Sequence, residues 1–305
     1  MKNEHDVAEE LICGYKVSSM RKKLWRCEIE LLEFLEQTCQ ENHIDFFLIA
    51  GSAIGAIRHK GFIPWDDDID IGMKREDFEK FLKVPKTEWP KYVDIQYGIS
   101  EHGADCLLRI RDGRTTGITR EEIGRPGNKG AFIEIYVFDY VNNNLIRKAQ
   151  MKVTNFLIRC MNANFSKDRS IKIRVKKILV KMVGINTVWS IYQKICCIQN
   201  HKKCEYIDTP SLPFYAKTGE HMYHIKDVEH SITVPFEYTY TRVPVGYDNC
   251  LRTAFGDYMK LPETEQRGVH HNTQVFYDPC NSYEKYEDNE IITRFFAGEV
   301  ELDQL

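Results

Sequence analysis

Between Val17 and Asn42 apolar residues return at three- and four-residue steps, with Leu24, Cys27, Leu31, Phe34 and Leu35 forming a stripe among charged neighbours, and this predicts an amphipathic helix. The period then changes. Asp45 to Ala50 reads Asp-Phe-Phe-Leu-Ile-Ala, a short run of β-formers that ends at Gly51-Ser52, so a strand should turn there into a helix with Ser52 at its N-terminus. Lys60-Gly61-Phe62-Ile63-Pro64-Trp65 carries Gly and Pro and predicts a loop feeding a second strand from Asp68 to Met73, followed by a helix from Arg75 to Leu82. Strands are expected at Tyr92–Tyr97, Asp105–Arg111 and Phe132–Phe138, the last after a glycine-rich loop at 124–130. From Leu145 to Asn200 the pattern is mostly helical. Strand-like segments near Ile232–Tyr240 and a short helix near Tyr247–Phe255 follow, and Ile291, Ile292, Phe295 and Phe296 offer an anchoring contact for the acidic tail. The fold class expected is α/β (α+β), a mixed sheet flanked by helices: a core over residues 1–140, then a largely helical extension over 141–305 packed on it.

A chain of 305 residues can bury a sizeable core. Its ten cysteines contain no C-x-x-C pair, and the opening residues show no charged-then-apolar leader pattern, so reduced thiols and a cytoplasmic location are expected. Cys196, Cys197 and Cys204 match no standard zinc spacing; buried free thiols are the simpler expectation. No apolar stretch reaches 18 residues, so nothing should span a bilayer.

The net charge of -3 conceals an asymmetry: Arg147 to Lys203 holds 14 Lys and Arg against one acid, Asp168. Within it Ile171, Val175, Ile178, Leu179, Met182 and Val183 recur at helical spacing, interleaved with Lys172, Arg174, Lys176, Lys177 and Lys181. Such a helix can dock its apolar stripe on the core, or lie peripherally on the inner face of a membrane, where each cation near anionic lipid contributes about 1 kcal/mol. Nucleic acid is not expected as a partner, since aromatic residues are sparse among the cations and no binding module is present.

The chemistry concentrates in Asp66-Asp67-Asp68-Ile69-Asp70. Four carboxylates in five residues repel one another unless a cation is present. Strand alternation would put Asp66, Asp68 and Asp70 on one face and Asp67 on the other. Magnesium, with manganese as the alternative, is held by one or two carboxylates plus substrate phosphates, which suits Asp68 and Asp70 as metal ligands. Glu134, an acid within the apolar strand Ile133–Phe138, is the candidate third carboxylate. Gly51 and Ser52, at a helix start after a strand, are candidate phosphate contacts. Arg58, His59 and Lys60 could bind phosphate or acceptor, or simply close a helix. Arg109 and Arg111 share a strand face and could do the same, or lie at the surface. His270 and His271 are weaker candidates near the acceptor.

The segment from Arg58 to Met73, Arg-His-Lys-Gly-Phe-Ile-Pro-Trp-Asp-Asp-Asp-Ile-Asp-Ile-Gly-Met, resembles the LicD family of phosphocholine transferases, related to fukutin and the fukutin-related protein. The likeness runs from about Leu31 to Phe81. It returns at Ile133-Glu134-Ile135-Tyr136-Val137-Phe138-Asp139 and again from Tyr247-Asp248 to Leu261-Pro262. It implies a nucleotidyltransferase fold, magnesium, and transfer of phosphocholine from CDP-choline to a cell-surface glycan or its lipid-linked precursor with release of CMP; relatives use CDP-ribitol, a CDP-alditol. On matching positions Asp66, Asp68 and Asp70 fall in the family's acidic motif and Gly51-Ser52 in its phosphate-side turn. Glu134 stands where the family usually has Asp. In the implied reaction Glu134 or Asp66 would accept the proton of the attacking sugar hydroxyl. An Asp-x-Asp glycosyltransferase, a nucleotidylyltransferase and a non-enzymatic metal-binding scaffold are the alternatives.

Overall fold

The amphipathic stretch forms a helix, α1 (Ser19–Glu41), whose N-cap Ser18 accepts the Arg21 amide at 3.2 Å; a hairpin of β1 (Glu10–Ile12) and β2 (Tyr15–Val17) precedes it. The computed structural model describes residues 7–100, 103–125, 127–142, 145–166, 170–200, 204–212, 222–264, 267, 275–286 and 290–300.

The short apolar run after α1 becomes β3 (Phe47–Leu48), turning at Ala50 into α2 (Ala50–Ile54) and a π-helical turn, Gly55–His59. β4 (Asp70–Lys74) leads directly into α3 (Arg75–Phe81). Next come β5 (Val93–Ile99), β6 (Ala104–Asp112), β7 (Thr116–Thr119) and β8 (Ala131–Val141). Three helices follow, α4 (Leu145–Phe165), α5 (Ile171–Val183) and α6 (Ile185–Cys196), then β9 (Tyr206–Asp208), β10 (Tyr223–His224), a hairpin of β11 (Ser231–Phe236) and β12 (Thr239–Pro244), α7 (Tyr247–Phe255), β13 (Val275–Asp278) and α8 (Glu290–Phe296).

The main sheet is mixed and centres on β8. One edge of β8 pairs in parallel with β4, which pairs antiparallel with β3; on the other edge β6 runs antiparallel along its first half and β9 along its end. Covered on both faces, β8 is buried almost throughout, which is why it reads as a continuous apolar run rather than an alternating one. Ile133, Ile135 and Val137 pack with α1 residues Ile29, Leu32 and Leu35 on one face. Tyr136 and Phe138 pack with Phe47 and Ile49 on the other.

The second half of the chain also builds the core. β13 pairs with β7, and Phe276, Ile292 and Phe295 pack on Leu24 and Cys27 of α1, so the tail is anchored as the apolar residues of α8 indicated. α1 is thereby covered on two sides. Cys196 is buried, Cys197 Sγ donates to Asp139 at 3.5 Å and Cys204 Sγ to the Gln199 carbonyl at 3.5 Å; all are free thiols.

Two expectations need correction. β4 starts at Asp70 rather than Asp68, so the strand alternation assigned to Asp66 and Asp68 does not apply; those residues precede the strand in irregular chain. And α5 does not dock its apolar stripe on the core, because Val180 is its one buried residue. Among the described residues no helix is long and apolar enough to cross a membrane.

Candidate active site

Contacts from α1 and from the turn between β11 and β12 hold the acidic segment in place. The Trp25 ring of α1 stacks on Phe62, centroids 4.7 Å apart, and its Nε1 donates to the Asp66 carbonyl at 3.0 Å. Glu237 accepts the Phe62 amide at 3.0 Å, and its own amide donates to the Lys60 carbonyl at 2.7 Å. The loop between α2 and β4 is thus pinned from both sides. Released from strand alternation, the chain bends so that three consecutive carboxylates, Asp66, Asp67 and Asp68, bring oxygens within 4.8 Å of one another. Extended chain would have sent Asp67 to the opposite face. Asp67 also pairs with Arg21 at 3.6 Å.

The sheet register supplies the rest. Asp70 on β4 lies opposite Glu134 on β8, which lies opposite Arg109 on β6, so one rung across three strands reads carboxylate, carboxylate, guanidinium. Arg109 Nε donates to Glu134 Oε1 at 2.8 Å and the Tyr136 hydroxyl to Glu134 Oε2 at 3.3 Å. Both oxygens of Glu134 are therefore directed.

These groups share one cavity of about 830 Å³, lined by Glu28, Asp66, Asp67, Asp68, Asp70 and Glu134 together with Arg109 and Arg120. Six carboxylates face two lining guanidinium groups. Desolvation, followed by the charges of Asp70, Asp66, Asp67 and Glu134, pushes the Asp68 carboxyl well above the usual carboxylate range. Glu28 behaves likewise: burial, then the Asp67 charge, raises its carboxyl against the opposing pull of Arg21. Its Oε2 has no hydrogen-bond partner. Sequence reasoning missed Glu28, because it lies outside the apolar stripe of α1; the one available sign was an acid sandwiched between Cys27 and Ile29 on a helix that the fold covers twice.

Gly51 and Ser52 lie at the start of α2, but their roles differ. Ser52 is buried; its Oγ accepts the Asp70 amide at 2.8 Å and sits 3.5 Å from the Asp68 carbonyl, so it braces the acidic segment from behind. Gly51 lines the cavity, and a Cβ there would stand 2.7 Å from Asp66 Oδ2. Gly51→Ala should therefore displace the Asp66 carboxylate and lower turnover by on the order of tenfold to a hundredfold while the melting temperature changes little, measured by steady-state kinetics beside thermal unfolding.

Arg58, His59 and Lys60 do not line the cavity. Arg58 Nε donates to His59 Nε2 at 2.9 Å and its Nη1 to the Tyr258 and Lys260 carbonyls, His59 packs edge-on to Trp65, and Lys60 ends the π turn in left-handed conformation. Arg58 thereby ties the motif loop to the chain after α7. Arg111 is fully buried and donates to Gln96, to Glu122 and to the Gly117 and Gly130 carbonyls, knitting β6 to its neighbours, and it does not line the cavity. Of the two strand arginines, Arg109 alone reaches the cavity. His270 and His271 lie outside the described residues.

The donor set fits a hard divalent cation. It consists of oxygens only, its negative charge exceeds the guanidinium charge around it, and one buried carboxylate oxygen has no donor. Asp66, Asp67 and Asp68 form the tight group, and Asp70 exerts the largest charge effect on Asp68, so Asp68 is the carboxylate common to both arrangements.

Comparison with known proteins agrees with this architecture. Residues 43–158 match the family model described as LicD/FKTN/FKRP, nucleotidyltransferase domain. The lipopolysaccharide cholinephosphotransferase LicD of Haemophilus influenzae is 27% identical over 270 residues, covering 86% of this chain and 99% of that protein. Uncharacterized proteins of Rickettsia typhi and Rickettsia prowazekii are 32% and 34% identical over 84 and 94 residues, about a quarter to a third of each chain. The matched region spans β3, the acidic segment, β4 and β8, which carry five of the six carboxylates of the cavity, so residues 43–158 correspond to a LicD-type nucleotidyltransferase domain.

Proposed function

We propose that this protein transfers phosphocholine, or a closely related phospho-alcohol, from a CDP-activated donor to a sugar hydroxyl of a cell-surface glycan or its lipid-linked precursor. The observation that carries the proposal is the meeting of six carboxylates, from α1, the loop before β4, β4 itself and β8, in a single cavity. The near full-length relative that modifies lipopolysaccharide supplies the reaction class.

Magnesium or manganese would be held by Asp68 and Asp70 with Asp66 and Asp67 beside them, and when bound it supplies neutralising charge for a pyrophosphate. The chain's own residues do the remainder. Gly51, lacking a Cβ, lets the Asp66 carboxylate close against the start of α2 at the cavity wall, and Arg109, fixed by Glu134, presents a guanidinium to the cavity where a donor phosphate would lie. The acceptor hydroxyl oxygen forms a bond to the distal phosphorus, the bond from that phosphorus to the bridging oxygen breaks, and CMP leaves with the electron pair. The hydroxyl proton passes to Glu134 or Asp66.

Product analysis tests the reading. Incubation with CDP-choline, CDP-ribitol, CDP-glycerol and CDP-ethanolamine in turn, with magnesium and a lipopolysaccharide or lipid-linked acceptor, should release CMP from one of them. CDP or UDP release from a nucleotide sugar would make the protein a glycosyltransferase. Pyrophosphate release from a nucleoside triphosphate would make it a nucleotidylyltransferase.

A further inference from the structure

Helix α5 departs from the rule that an amphipathic helix buries its apolar side. Val180 is buried and Ile173 half-buried, and these face the body of the protein, where α5 packs against α4 and α6. At 100° per residue Ile171, Val175, Ile178 and Met182 fall within a sector of about 60° on the opposite side, with Leu179 extending it. All five are exposed, Ile171 at 80% and Met182 at 79%. An apolar stripe of this kind on a folded surface marks an interaction site.

The charges around the stripe identify the occupant. Arg174 and Lys181 border it on one side and Lys172 on the other, and the whole helix holds five cations and no acid. Lys177 is engaged differently, its Nζ donating to the Ser166 carbonyl at 2.7 Å and tying α5 to the end of α4. A second copy would bring an equally basic helix against this one, and the repulsion opposes self-association through the stripe. Long cationic side chains bordering an exposed apolar strip suit a surface with an apolar interior and anionic headgroups, since their stems lie along the strip while the charges reach headgroup level.

We infer that α5 is a membrane-surface helix, which lies parallel to a bilayer containing anionic phospholipid with Ile171, Val175, Ile178 and Met182 set below the headgroups. The inference does not depend on the reaction proposed above; it rests on the exposure of α5 and the sign of its border.

Cosedimentation of the protein with vesicles of phosphatidylcholine alone, and of phosphatidylcholine with about one third phosphatidylglycerol, is the test. The protein should pellet with the anionic vesicles. Ile178→Glu/Met182→Glu and, separately, Lys172→Gln/Arg174→Gln/Lys181→Gln should each weaken that binding by about tenfold or more, with unchanged melting temperature because these side chains are exposed. Three results would overturn the inference: wild type remaining in the supernatant, both variants binding as wild type does, or a wild-type dimer that Ile178→Glu/Met182→Glu converts to monomer in sedimentation velocity.

Discussion

Asp68→Asn and Asp70→Asn should each lower phospho-alcohol transfer by about a thousandfold or more while the protein stays folded. The asparagine keeps the size of the side chain and removes its charge, so packing of the segment between Trp25 and β4 is preserved. The loss of charge has a second, opposite consequence. Burial and neighbouring carboxylates raise the Asp68 carboxyl, so it binds its proton more tightly in the folded state than in the unfolded one. Folded-state stability in chelator is then greatest below the ordinary carboxylate value and declines as pH rises through the raised one. Asp68→Asn removes that decline. At neutral pH without divalent ions it should melt a few degrees higher than wild type, and added magnesium should raise the wild-type melting temperature more than the variant's. A variant that is both inactive and less stable in chelator would indicate damage to the fold instead. Melting curves across pH, with and without magnesium, separate the two.

Arg75→Met should destabilise the protein by about 3–5 kcal/mol, the cost of leaving a buried carboxylate without its cation. Arg75 opens α3 and grips Asp139 of β8 with two hydrogen bonds of 2.9 and 2.6 Å, while its third nitrogen donates to Gln193 of α6 at 3.1 Å. Asp139 is fully buried and also accepts from Asn200 at 2.9 Å. Five residues beyond Glu134, it points by strand alternation to the other side of the sheet. Its place in the family-like segment Ile133–Asp139 therefore reflects structure: it joins β8, α3 and α6. Arg75→Met/Asp139→Leu should recover part of the loss, because apolar replacement of both partners leaves less uncompensated charge. Urea unfolding of the single and double variants measures this, and equal stabilities for wild type and Arg75→Met would refute the structural role.

The elements around the cavity were readable in the sequence because their signals are local. The helical period of α1, the β-rich run ending at Gly51-Ser52, and an acid inside the apolar run Ile133–Phe138 each declare themselves within about ten residues. Where a long-range contact decides, the pattern says less. Thr116–Thr119 has no alternation to mark it as a strand, and it becomes β7 through pairing with β13, more than 150 residues later. The same C-terminal elements cover a second side of α1, which buries Glu28 where a single-stripe reading leaves it on the charged face. The convergence of Asp67 with Asp66 and Asp68 depends on β4 starting two residues later than the apolar pattern implies, and that start is held by other segments of the chain, through the pairing of Asp70 with Glu134 and the bond from the Asp70 amide to Ser52. Ser52 and Arg111 illustrate a different limit. Their residue types suit phosphate contacts, yet the backbone groups they hold lie on other segments of the chain and leave no trace in local sequence.

Everything in the proposed reaction depends on one divalent ion bound by the carboxylates of the loop before β4 and of β4 itself. Titration of manganese(II), followed by the loss of its free electron paramagnetic resonance signal in the presence of CDP-choline, addresses this directly. One ion should bind per wild-type chain, with binding lost or weakened by at least about a hundredfold in Asp68→Asn and Asp70→Asn. Manganese binding that is absent in wild type, or identical in all three proteins, would contradict the account.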